Sequence, residues 1–137
     1  MTSLCSGSEH CESEVREKLQ RGDISTEDIQ RIVDYLYEEQ YIDNGRYCRA
    51  FAHDKLHFAH WGRVKIGQAL RQKALPEADI LAALDELSEE EYRRILLELA
   101  RQKERTLHDE DEYIRRGKLI RFLAGRGFTM SEILDNI

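Results

Sequence analysis

Proline is almost missing from this chain, with Pro76 the only one in 137 residues. The apolar remainder is rich in Leu, Ile and Ala, which suits a helical protein. Uncharged apolar residues never run together for the roughly 18 positions that a membrane span needs. The opening "MTSLCSGSEHCESE" lacks the basic and apolar regions of a secretory signal, so a cytoplasmic protein is expected. Three cysteines (Cys5, Cys11, Cys48) in such a chain do not make a disulfide framework. Enzymatic signatures are missing too: there is no GxSxG elbow, no P-loop and no dinucleotide-binding glycine fingerprint. Glu38–Glu39 and Glu89–Glu91 read as helix-surface carboxylates rather than a catalytic pair. A non-enzyme without a cofactor is expected. Zinc needs three or four clustered ligands, and neither HExxH nor paired CxxC occurs. His53 with His57, or Cys5, His10 and Cys11, are the nearest approaches to a metal site, and no metal is expected.

What remains is helical periodicity. Ile29, Ile32, Val33 and Leu36 follow the i, i+3, i+4, i+7 pattern of an amphipathic helix. Tyr92, Ile95, Leu96 and Leu99 repeat it, as do Tyr113, Gly117, Ile120, Leu123 and Ala124. No segment alternates with period two over a strand's length. The fold class is all-α.

Three segments align when anchored on Leu19, Leu70 and Leu123. Five residues on stands an apolar residue (Ile24, Leu75, Phe128), then a helix starter (Ser25, Pro76, Thr129). An acid follows at plus nine (Asp28, Asp79, Glu132) and an isoleucine at plus ten (Ile29, Ile80, Ile133). Ser or Thr with an acid three residues later makes a capping box, proline suits the first turn, and the preceding apolar residue staples back. Gly22, and Gly125 with Gly127, break the preceding helix in the first and third copies. Ala74 stands there in the second, at a cost of about 1 kcal/mol if the site requires positive φ. The spacing leaves a further helix after each of the first two pairs, near 44–60 and 89–107. We therefore expect about eight helices in tandem three-helix repeats, the last truncated, forming an elongated, curved array. The expected divisions are a mobile tail at 1–13 and repeats at 14–60, 61–108 and 109–137.

Charge is distributed unevenly. The net charge is −6, yet residues 46–73 hold seven Lys or Arg against one acid, Asp54. An acidic protein of this kind does not bind duplex DNA tightly unaided, although a local basic band could do so. On a helix over 44–60, Arg46, Arg49, His53, His57 and His60 share one face. Tyr47, Phe51 and Phe58, with Cys48, Ala52 and Ala59, form the opposite, core side. The basic stripe reads either as a solvated face or as a docking surface for phosphates or acidic side chains; the shortage of balancing acids favours docking. Trp61 reads as a corner of the core rather than a base-stacking platform, and Cys48 as an inert core thiol.

The segments "VDYLYEEQYIDNGRYCRAFAHDKL", "WGRVKIGQALRQKAL" and "RFLAGRGFTMSEILDNI" together resemble the RecX family of bacterial regulatory proteins, from about Val15 to the end. Asn44, Gly45 and Ala74 depart from the family pattern, and the first copy's glycine comes one place early. The resemblance implies helical repeats bent into an arc that lies in the groove of the RecA filament on single-stranded DNA. It implies inhibition of ATP hydrolysis, strand exchange or filament growth. A monomer is expected, with RecA as partner and single-stranded DNA as a possible direct contact. Candidate contact residues are Arg46, Arg49, His53, His57, Arg63, Lys65, Arg71 and Lys73. Arg115, Arg116, Lys118, Arg121 and Arg126 form a second basic patch. The rival expectation is a stand-alone nucleic-acid-binding module, because paired short helices also resemble helix-turn-helix units.

Overall fold

The computed structural model describes residues 10–108 and 111–137. These form eight helices: α1 (Glu12–Arg21), α2 (Thr26–Glu38), α3 (Asn44–His57), α4 (Arg63–Gln72), α5 (Glu77–Asp85), α6 (Glu89–Glu104), α7 (Glu112–Gly125) and α8 (Met130–Asn136). No strand occurs among the described residues. The all-α reading holds.

Local chemistry starts the helices where the aligned columns place them. Ser25 Oγ accepts the Asp28 amide at 3.2 Å. Thr129 and Glu132 cap each other reciprocally, with amide contacts of 3.1 and 2.8 Å. Each cap satisfies helix-end donors that water would otherwise have to serve. Pro76 occupies the N-cap itself, one place before the first helical turn, and supplies no side-chain acceptor. The residues before the caps differ among copies: Leu75 and Phe128 are buried, whereas Ile24 is exposed.

Two cores result. Val15, Leu19, Ile29, Val33, Leu36 and Ile42 close a small one within α1, α2 and the loop that follows. A larger one runs from Tyr47 and Cys48 of α3 to Ile133 of α8. Within it α3 packs on α4 and α5, α6 packs on α7 and α8, and α3 touches α6. Each helix that follows a repeated pair thus packs forward, onto the next pair. The units are joined in line.

Several expectations change. The segment 44–60 is helical only to His57. There the Phe58 and Trp61 amides turn back to the Asp54 and Lys55 carbonyls, and His60 takes a left-handed φ of 57°. His60 therefore leaves the stripe. Phe58, past the helix end, is 77% exposed rather than core. Helix α6 stops at Glu104, short of 107. On α7 the inward positions are Leu119 and Leu123, while Tyr113 is 85% exposed. The segment expected to be a tail lies outside the described residues as far as 9. Cys11, by contrast, is buried at the N-cap of α1, and Glu12 already opens that helix.

Backbone contact joins the second and third units. The Gly62 amide donates to the Arg126 carbonyl at 2.8 Å and the Val64 amide to Gly127 at 3.0 Å. A Cβ on Gly62 would stand 2.5 Å from the Gly127 carbonyl, so only glycine permits this approach.

Candidate functional site

Helix α3 does bring Arg46, Arg49, His53 and His57 to one cleft, opposite Ala83, Glu86, Leu87 and Glu91. The rings of His53 and His57 stack at 4.1 Å. His57 Nδ1 donates to the His53 carbonyl and Nε2 meets Glu91 at 2.8 Å. That hydrogen bond from His57 holds the Glu91 carboxyl below its usual value. Arg49 lies 3.9 Å from Glu86, and His53 lies 3.5 Å from Asp54. Arg46 reaches the Gln40 carbonyl at 3.0 Å. The cleft carries both signs of charge.

Two further predicted cations of the band also meet acids from outside it. Arg71 pairs with Glu77 at 2.7 Å, an interaction that lowers the Glu77 pKa. Lys73 lies 3.8 Å from Glu14. Counting acids within residues 46–73 therefore misjudged the band, because Glu14, Glu77, Glu86, Glu89, Glu91 and Glu132 arrive from outside it. Exposed pairs of this kind add little stability, but they cancel much of the local field.

Arg63 is a correction in its own right. Its side chain is only 20% exposed and its guanidinium is spent inside the molecule. It contacts Glu89 at 2.6 Å, Glu132 at 3.3 Å and the Leu84 carbonyl at 3.1 Å, and lies 4.1 Å over the Tyr92 ring. The Tyr92 hydroxyl accepts the Arg63 amide and donates to Glu132. Burial drives the Tyr92 pKa well above its ordinary value. Arg63 clamps α4 to α6 and α8, which engages its guanidinium within the molecule.

Lys65 remains outside this pairing; its ammonium lies 4.7 Å over Trp61. In the second patch Arg116 and Arg121 are exposed, Arg115 and Lys118 are half-buried, and Arg126 lies over Phe122 at 5.4 Å. Sequence reasoning passed over Lys55 and Lys103. Lys55 lies over both Phe51 and Trp61, and Lys103 over Phe122. The signal for Lys55 was its i, i+4 spacing from Phe51; Lys103 and Phe122 are on different helices and left none.

Cys5 lies outside the described residues. Cys11 Sγ faces Glu14 Oε1 at 3.2 Å in a buried setting. No group of three or more His, Cys, Asp or Glu suited to a metal occurs among the described residues.

Models of the first, second and third three-helix domains of RecX match residues 3–36, 43–84 and 89–135, in that order. The chain belongs to the RecX family. The regulatory protein RecX of Clostridium botulinum (strain Eklund 17B / Type B) is 31% identical over 126 residues, covering 90% of this chain and 58% of that protein. That of Leuconostoc mesenteroides is 28% identical and covers 93% and 48%. The chain thus spans between about half and three-fifths of the length of these curated relatives. A crystal structure of regulatory protein RecX superposes with a TM-score of 0.89 at 27% identity, over 98% of this chain and 67% of that one. RecX from Lactobacillus salivarius gives 0.87 at 19%, over 97% and 86%, a likeness of fold. The relatives carry the name of regulatory proteins rather than enzymes. No described helix is long and apolar enough to cross a membrane.

Proposed function

We propose that this chain binds the RecA filament on single-stranded DNA, lies along its helical groove, and restrains ATP hydrolysis, strand exchange or growth. The observation that carries this reading is the tandem match of three RecX domains onto helical units joined in line. A line of small units suits a helical groove better than a single globule, because successive units can follow successive protomers. The contact residues proposed are Arg46, Arg49, His53 and His57 of the cleft, Lys65, Arg71 and Lys73 beyond it, and Arg115, Arg116, Lys118, Arg121 and Arg126 of the third unit. Arg63 is left out for the reason given above. The protein acts as a cytoplasmic monomer with no chemistry of its own.

A recombinase ATPase assay on single-stranded DNA, with this chain titrated in, tests the reading. Saturable inhibition is expected, and it weakens several-fold when Arg116 and Arg121 are both changed to Glu while helicity by circular dichroism stays constant. An unchanged hydrolysis rate at saturating chain would refute it.

A further inference from the structure

One strip of surface sets cations directly over aromatic rings. It begins where Lys73 lies 5.9 Å from the Phe51 ring, and passes to Lys55, whose ammonium is 5.4 Å from Phe51 and 4.8 Å from Trp61. Lys65 covers the same indole at 4.7 Å. The strip then crosses the joint between the second and third units, where Arg126 reaches the Ala59 carbonyl at 3.4 Å. It ends at Phe122, with Arg126 at 5.4 Å and Lys103 at 5.0 Å. Lys55, Lys65, Lys103 and Arg126 meet no carboxylate within 4.0 Å among the described residues. All of these side chains are half-buried, the rings packed against the large core and the charged ends lying over them. On a chain of charge −6, four cations without a carboxylate partner here alternate with three aromatic rings.

We propose that this strip is a docking surface for a single nucleic-acid strand, with its phosphates on Lys55, Lys65, Lys103 and Arg126 and a base stacked on Trp61. The chemistry favours a single strand over two other polyanions. A duplex keeps its base faces stacked inside, so rings set between cations find nothing to stack on. An acidic peptide would use the cations but has no use for the interleaved rings. A single strand offers both groups alternately along its length. The ammonium–indole contacts also supply a mechanism. Phosphate draws Lys55 and Lys65 off Trp61, because a charge-assisted contact outweighs an exposed cation–π contact, and the freed ring face accepts the base. The inference deepens the filament reading by assigning the surface that would meet the strand, yet its test contains no recombinase, so either can fail alone.

Trp61 is the only tryptophan in the chain, so its fluorescence reports on this surface. Oligothymidylate titrated into the full chain at low salt is expected to quench that emission saturably. Anisotropy of a labelled oligothymidylate then follows the variants. Trp61→Leu is expected to lower affinity about tenfold, and Trp61→Phe to retain most of it. Combining Lys55→Gln, Lys65→Gln and Lys103→Gln is expected to flatten log K against log salt by about 0.7 for each phosphate no longer neutralised. Arg31→Gln, on exposed α2, leaves both quantities unchanged. The wild-type quenching needs no variant to fold, and its absence overturns the proposal. So does equal affinity for polyglutamate together with indifference to Trp61→Leu, which would mark an acidic-peptide surface instead.

Discussion

Ala74 adopts φ +61°, and Gly127, at the equivalent place in the third copy, adopts +100°. The hydrogen bonds around them match. The Ala74 and Gly127 amides donate to the Arg71 and Ala124 carbonyls, both at 3.0 Å, and the next amide donates to Leu70 or Leu123. The turn is one design, and only the third copy gives it glycine. Gly22 of the first copy is extended at φ −93°, so that copy leaves its helix by another route. A left-handed alanine costs about 1–2 kcal/mol, and glycine gives part of that back as unfolded-chain entropy. Ala74→Gly is therefore expected to stabilise the protein by about 0.5–1 kcal/mol, read as a higher urea midpoint at constant slope. Cys48 shows how closely the neighbouring core is packed. It is fully buried, and burial pushes its thiol up to about 11, as an inert core thiol requires.

At the scale of elements, α1 and α2 share only the small core and are the helices least secured by apolar contact with the body. What ties α1 to the rest is polar: Ser13 Oγ donates to the Lys73 carbonyl at 2.7 Å, and Lys73 approaches Glu14. Cys11 alone enters the large core. Burial raises the Glu14 pKa, but hydrogen bonds from the Cys11 amide and thiol and from Tyr47, with Lys73 nearby, outweigh it and leave the carboxyl below 4.5. Burial and the same carboxylate drive Tyr47 far above its ordinary value. The sign follows from linkage. A carboxyl depressed in the folded state adds stability that is fully present above 4.5 and lost as pH falls through its folded value. Hydrogen exchange in α1 is thus expected to accelerate below that pH before exchange in α6 does, and Glu14→Gln to remove the difference. This attachment was illegible in "SLCSGSEHCESE", where no apolar period marks Cys11 as a core residue.

At the scale of the molecule, the joint between the second and third units is over-determined. Gly62 allows backbone to meet backbone, and Arg63, the next residue, closes the gap with Glu132, Leu84 and Tyr92. Glu89 is 76% exposed, so its pairing with Arg63 contributes little. The half-buried contacts matter more, because removing the guanidinium takes one partner from the Leu84 carbonyl, which keeps the Leu87 amide, and one from Glu132, which keeps the Tyr92 hydroxyl and the Thr129 amide. Arg63→Ala is expected to cost about 1–2 kcal/mol in urea unfolding, with native helicity retained. A partner-contact role alone would predict no such loss. The joint also carries the cationic strip across two units, so the strip's continuity depends on it.

Helix type, helix starts and the threefold repeat are legible in the sequence because their causes are local. Apolar spacing, a capping hydroxyl and an acid three residues on all act within one or two turns. The apolar columns at Ile29, Ile80 and Ile133 were read from spacing alone, and all three are buried. Tertiary structure decided what depends on residues far apart in the chain. It sent α3 and α6 forward onto the next pair, buried Cys11, left Phe58 in water, and turned Arg63 from a surface cation into a clamp. It also brought six glutamates to a band that had looked unbalanced, and set Lys55, Lys65, Lys103 and Arg126 over aromatic rings instead. Coulomb interactions depend on separation in space, and the order of residues along the chain does not contain that distance.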